Sequence, residues 1–193
     1  MKKYLNQTDQ QLIHLYINGD TEALGALMVR HKNKIFTSIY LLVRDINLAE
    51  DIFQDMFIRI IDTMRGGRYT DQGKFLPWAM LIAHNLCVDH FRKVKRAPTI
   101  KTSDDRDIFK ILNFSAPGAD QCMMKNQSHE NVRRMIDLLP EDQREVVILR
   151  HYANLSFKEI SVLTKGNINT TLGKMRYSLK KLRKIMVEKQ IAL

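Results

Sequence analysis

Apolar residues return along this chain every three or four positions with polar residues between them, a spacing that puts them on one face of a helix and predicts an all-α protein. Thr8 to Gln11 has the form of a capping box, and Leu12, Ile13, Leu15, Tyr16 and Ile17 follow before Gly19 stops a short first helix. Asp20 is placed to cap a longer second helix, with Ala23, Leu24, Leu27, Met28, Ile35, Ile39 and Leu42 inward and Arg30, His31, Lys32 and Lys34 on a solvated face. Asn47, with Glu50 three residues on, marks a third start, after which Phe53, Met56, Phe57, Ile60 and Met64 form a buried stripe. Asp51, Gln54, Asp55 and Asp62 fall on its other face. The fourth helix, residues 75–96, joins an aromatic-led half (Phe75, Trp78, Ala79, Ile82, Leu86) to the cations Arg92, Lys93, Lys95 and Arg96. Pro77 is tolerated there because it lies in the first turn.

Beyond Arg96 the periodicity fails. Pro98, the acidic stretch 103–107 and Ala116-Pro117-Gly118 read as a flexible linker, in which Phe109, Ile111, Leu112 and Phe114 are suited to docking on a partner. Helical spacing resumes near Asp120. Leu138-Leu139-Pro140-Glu141-Asp142 predicts a helix with Pro at its first position, followed by Val146, Val147, Leu149 and Tyr152. Ser156 and Glu159 form a second capping box, with Leu155 and Ile160 as its hydrophobic staple. A helix over 157–163, a tight turn Thr164-Lys165-Gly166-Asn167 and a longer helix with Ile168, Thr171, Met175, Ser178 and Leu182 inward have helix-turn-helix spacing. Asn169, Thr170, Lys174 and Tyr177 then point outward where base edges are read, and Arg176, Lys180, Lys181 and Arg183 suit phosphates. A helical hairpin with a basic solvent face is the plainer alternative. The expected architecture is two small helical domains, 1–97 and 120–193, joined by a linker at 98–119.

Charge sharpens this picture. The net charge is +10, yet residues 1–89 hold ten Lys/Arg against ten Asp/Glu. Residues 90–101 carry five cations and no acid, residues 102–154 seven against nine, and residues 155–193 nine against two. Excess confined to two blocks suits a protein that grips nucleic acid at two places. Ahead of both, the loop Arg65-Gly66-Gly67-Arg68-Tyr69 is either a simple turn or a cradle for an unstacked base. Cys87 and Cys122 stand apart, and His84, Cys87 and His90 are spread around a helix, so neither a disulfide framework nor a metal site is expected. No cofactor, nucleophile with its base, or phosphate loop is legible, so the chain is not expected to be an enzyme. No apolar run approaches the roughly 18 residues that span a membrane, which predicts a cytoplasmic protein without membrane insertion.

Four motifs stand in a telling order: Gly19-Asp20-x-x-Ala23; Ala49-Glu50-Asp51-x-x-Gln54-Asp55-x-Phe57; Trp78-x-x-x-Ile82-Ala83-x-Asn85-x-x-x-Asp89-x-x-Arg92; and Leu139-Pro140-Glu141-x-x-Arg144-Glu145-Val146, followed by Ser156-Phe157-Lys158-Glu159-Ile160. In that order they resemble bacterial sigma factors of the small extracytoplasmic-function group, over nearly all the chain outside the linker. The resemblance implies partners: core RNA polymerase, promoter DNA and an anti-sigma factor. It implies that Asp51, Gln54 and Asp55 dock on the polymerase clamp, and that the loop from Arg65 through Arg68 and Tyr69 to Gln72 captures a flipped base during promoter melting. Asn85, Arg92 and Arg96 would lie against the downstream promoter element. The C-terminal module would read the upstream one. This chain departs from the family where Asn169-Thr170-Thr171-Leu172-Gly173-Lys174 replaces a Gly-Thr-Val-Lys-Ser-Arg-like start, and where the turn glycine, Gly166, comes one position late. The competing expectation is a stand-alone helix-turn-helix regulator whose N-terminal helices sense or dimerise.

Overall fold

The structure is a computed structural model and describes residues 2–70, 73–96 and 131–189, all of whose regular elements are helical. The chain divides into two compact units, Met1–Asp104 and Asp105–Leu193. The predicted linker, with its apolar interruptions, and Cys122 lie outside the described residues.

In the first unit a 3₁₀ turn, Lys2–Tyr4, precedes α1 (Asp9–Ile17), α2 (Thr21–Val43), α3 (Ile46–Arg65) and α4 (Phe75–Arg96). The capping box forms as expected: the Thr8 hydroxyl accepts from Gln11 N and the Gln11 side chain accepts from Thr8 N. Asn18 and Gly19 close α1 with the Gly19 amide on Tyr16 O and the Asp20 amide on Leu15 O, a Schellman turn whose left-handed residue is Gly19 at φ 102°. α2 is the central element and packs on α1, α3 and α4. Its residues 35–42 are buried on every side, which is why the apolar run Ile39-Tyr40-Leu41-Leu42 breaks strict periodicity there. α3 contributes Ala49, Ile52, Met56, Ile60 and Met64 to the core, leaving Phe53 and Phe57 half-buried at the flank.

Four local expectations need correction. Asp20 stands at the N-cap position of α2 but makes no side-chain cap; its carboxylate accepts from the Tyr4 hydroxyl at 2.9 and 3.0 Å and from Lys3 at 3.3 Å. α3 starts two residues early, capped by Asp45, whose carboxylate accepts from Leu48 N at 2.9 Å. Arg30 and His31 do not form a solvated face. Both hold Asp9, at 2.7 Å each, and Arg30 also donates to Gln7 O at 2.8 Å, so this pair clamps α1 to α2. On α4 the buried face runs through Phe75, Ala79, Met80, Ala83, Leu86 and Cys87, with Trp78 and Ile82 half-buried beside it.

The second unit comprises a helix described over residues 131–137 (α5), α6 (Glu141–His151), α7 (Phe157–Leu163) and α8 (Ile168–Glu188). Pro140 occupies the cap position just before α6 rather than its first turn, and Glu141 and Asp142 follow at the positive end of the helix dipole. The Ser156 and Glu159 capping box and the buried Leu155 and Ile160 fix the start of α7. α8 buries Thr171, Met175, Ser178 and Ile185 against α6 and α7. Ser178, fully buried, has its hydroxyl 2.7 Å from Lys174 O and 3.3 Å from Gln143 O, so a small polar residue links α8 to α6. Ile168, expected inward, is 42% exposed. It shares the helix side of Thr171 and Met175 but stands in the first turn, directly after the Asn167 cap.

Candidate polymerase and promoter-DNA interfaces

On the first unit, Asp51, Gln54 and Asp55 all project from the exposed side of α3, the side turned away from the Ile52, Met56 and Ile60 stripe. Ile58, 55% exposed, lies one helical turn beyond Gln54 and Asp55, an apolar residue that the sequence pattern did not single out. Beside this face a groove of about 390 Å³ separates α3 from α4, lined among others by Asp51, Asp55, Arg59, Asp89, Arg92 and Lys93. Asp51 and Asp55 of α3 and Arg92 of α4 thus share one groove, whose walls also carry Arg59 on α3 and Asp89 on α4. Arg92 lies 3.7 Å from Asp89 with both side chains more than half exposed, a surface pair of small net worth that a phosphate displaces at little cost. Asn85 is half-buried one to two turns nearer the start of α4. Nothing is described of the Arg96 side chain.

The loop after α3 is more built than its composition suggests. Gly66 and Gly67 end the helix in a second Schellman turn, with the Gly67 amide on Met64 O, the Arg68 amide on Thr63 O and Gly67 at φ 64°. A side-chain carbon at Gly66 would approach the backbone Asp62 O to 3.1 Å and Arg68 Nε to 3.2 Å, a tight fit at the helix end. Arg65 and Arg68 are exposed, whereas Tyr69 is half-buried with its ring centroid 4.4 Å from that of Trp78. Trp78 in turn packs 6.0 Å from Phe75, and Phe75 lies 5.6 Å from the His31 ring. The loop aromatic is therefore seated on a chain of rings anchored in the core. Residues 71–72 lie outside the described part.

On the second unit, Asn169, Thr170, Arg176, Lys180 and Lys181 are exposed along α8, and Tyr177 is 63% exposed. Lys174 differs from them. It reaches back to Asp142 at the start of α6, 3.4 Å away, and is only 31% exposed. The α7–α8 turn is the third Schellman motif: the Lys165 amide meets Val162 O at 3.2 Å and the Gly166 amide meets Ser161 O at 2.8 Å. Its left-handed residue is Lys165, at φ 52°, and not Gly166. Asn167 then caps α8 through its side-chain oxygen, 2.8 Å from Asn169 N.

Comparison with known proteins agrees with this geometry. Residues 27–97 match the Sigma-70 region 2 family model, and residues 129–186 match the model of Sigma-70, region 4. The chain belongs to the sigma-70 family. It is 26% identical over 175 residues to the RNA polymerase sigma-H factor of Pseudomonas aeruginosa, covering 88% of this chain and 89% of that one. It is 29% identical over 178 residues to the ECF RNA polymerase sigma-E factor of Escherichia coli, covering 87% and 88%. Among solved structures, CnrH in complex with the cytosolic domain of CnrY shares the fold at a TM-score of 0.65 and 17% identity, over 93% of this chain and 97% of that one. The sigma factor RpoE of Bartonella quintana, in complex with the anti-sigma factor NepR, does so at 0.65 and 14%, over 84% and 96%. The chain is a sigma factor of the extracytoplasmic-function group, a transcription-initiation factor that acts with core RNA polymerase on promoter DNA. Because residues 27–97 match region 2, a stand-alone regulator with an N-terminal sensing domain is not favoured.

Proposed function

We propose that residues 1–97 bind core polymerase and open the promoter, that 98–119 link, and that 120–193 hold the upstream element. Asp51, Gln54 and Asp55 are the polymerase contacts, Arg65, Arg68, Tyr69, Asn85, Arg92 and Arg96 act in melting and on the downstream element, and Asn169, Thr170, Lys174, Arg176, Tyr177, Lys180 and Lys181 hold the upstream element. Lys174, tied to Asp142, is the weakest member of that last set, because it must leave one carboxylate before it can reach a base edge. The observation that carries this reading is the exposed acidic face of α3 beside a groove whose α4 wall carries Arg92 and Lys93 together with Asp89. The protein catalyses no reaction itself and works in the cytoplasm. Among the described residues, no helix is long and apolar enough to cross a membrane. Since both structural relatives are seen with a regulatory polypeptide, one described as an anti-sigma factor, we infer an anti-sigma partner for this chain too.

Run-off transcription with purified core polymerase tests the whole reading. Added protein is expected to direct transcripts from a defined promoter set. The triple change Asp51→Ala, Gln54→Ala, Asp55→Lys is expected to abolish core binding while circular dichroism stays helical. Normal core binding by that variant would remove the α3 face from the polymerase interface.

A further inference from the structure

The loop that follows α3 leans on α1 as well as on α4. Near its start Tyr69 packs on Trp78, with 4.4 Å between ring centroids. Near its end Gly73, at φ 69°, comes so close to α1 that a side-chain carbon there would lie 3.0 Å from Gln10 Nε2. Phe75 follows two residues later as the first residue of α4, fully buried, with its ring 5.6 Å from that of His31 and 6.0 Å from that of Trp78. The His31 ring is oriented by a single hydrogen bond: Nε2 lies 2.7 Å from Asp9 Oδ2, while the buried Nδ1 has no partner among the described residues. A carboxylate accepts, so Nε2 is the donor. Asp9 and Gln10, consecutive on α1, therefore reach both ends of the loop. Asp9 does so through His31, Phe75 and Trp78 to Tyr69, and Gln10 directly at Gly73.

We propose that Asp9 and Gln10 are positioning residues for promoter opening, by which α1 braces the loop before a base arrives. They act through the loop and not on the strand. A loop held at both ends gives up less conformational freedom when it closes on an extruded base, so the bracing favours the open complex and leaves duplex binding alone. A residue that merely fastened α1 to α2 would affect folding and would impair every template equally. The bracing role rests on the melting role proposed for the loop.

Trp78 is the only tryptophan of the chain, so its fluorescence reports the seat of Tyr69 directly. In the free full-length protein, Tyr69→Ala supplies the unseated reference, in which acrylamide quenches Trp78 more strongly. Asp9→Ala and Gln10→Ala are expected to move quenching towards that reference. Asp9→Asn, which keeps an oxygen to accept from His31, is expected to stay near wild type. In holoenzyme with core polymerase, the two alanine variants are expected to form the closed complex normally and to open a duplex promoter about two- to tenfold more slowly, the worth of one aromatic contact. A promoter with a mismatched bubble should restore their rate, and Asp9→Asn should need no such rescue. Gln10 is exposed, so Gln10→Ala reads the loop even where Asp9→Ala loosens α1. Unchanged Trp78 quenching in both alanine variants, an equal defect on duplex and bubble, or an Asp9→Asn as slow as Asp9→Ala overturns the bracing role; if Tyr69→Ala still slows opening, the melting role of the loop stands without it. A Tyr69→Ala that opens duplex promoters at the wild-type rate overturns both.

Discussion

Lys165 takes a conformation that glycine adopts freely and lysine does not. Its φ of 52° places it as the left-handed residue of the turn between α7 and α8, where its amide and that of Gly166 satisfy the last carbonyls of α7. In the equivalent turns after α1 and α3 the left-handed residue is Gly19 or Gly67. A left-handed L-residue costs roughly 1–2 kcal/mol, part of which a glycine returns through the greater freedom of the unfolded chain. Lys165→Gly is therefore expected to stabilise the second unit by about 0.5–1 kcal/mol, read as a rise in its thermal midpoint. Gly166 has no such constraint, and a side-chain carbon there would meet only Thr164 Oγ1, at an ordinary 3.5 Å. Gly166→Ala is expected to be nearly neutral in the same melt. A destabilised Lys165→Gly would mean that the lysine side chain contributes more to the turn than its backbone costs.

At the scale of elements, the N-terminal turn is held to α2 by charge, and the sign of its pH dependence follows. Asp20 is drawn below the ordinary carboxylate value of 3.8, first by the Tyr4 hydroxyl and then by Lys3. Burial, reinforced by the Asp20 carboxylate, pushes the Tyr4 phenol above its ordinary 10.0. A depressed acid contributes stability that is present above its unfolded value and lost as pH falls through the folded one; a phenol raised in the fold contributes below 10.0 and loses it as pH rises. The clamp should hold between about pH 4 and 10, weakening on both sides. Hydrogen exchange of the 2–20 backbone checks this: Asp20→Asn should flatten the acid limb and Tyr4→Phe the alkaline limb, and unaltered limbs would show that other groups govern the segment. Such clamps also mark where sequence reading stops. Capping boxes at Thr8 and Ser156 were legible because both partners lie within three residues. Tyr4 with Asp20, His31 with Asp9 and Lys174 with Asp142 join residues 16 to 32 positions apart, and nothing in periodicity distinguishes such a cation or acid from a solvated one. The third helix start was misread for a milder reason: Asp45 and Asn47 are equally good caps in isolation, and the turn set by Arg44 at φ 61° decides between them.

At the scale of the molecule, the charge blocks parallel the division of tasks proposed for the two units. The second presents its cations along one regular helix, as duplex binding requires, whereas the first combines cations at the end of α4 with a turn carrying Arg65, Arg68 and the ring-supported Tyr69. In the melting role proposed for this loop, an aromatic seated on Trp78 is in place before a base arrives, and stacking on such a platform is worth about 1–3 kcal/mol per base. That energy becomes available only once a base has left the duplex. Substitution of Tyr69, Asn85 and Arg92 by Ala should therefore spare the closed complex and reduce opening. The comparison that isolates this step is transcription from an ordinary duplex promoter against the same promoter carrying a mismatched bubble. A bubble that restores activity ties the defect to strand separation. An equal defect on both templates would instead trace it to a loosened loop, since removing Tyr69 also uncovers Trp78, or to lost polymerase binding through the shared groove of α3 and α4; core-binding measurements on the single Tyr69→Ala and Arg92→Ala variants separate those two causes.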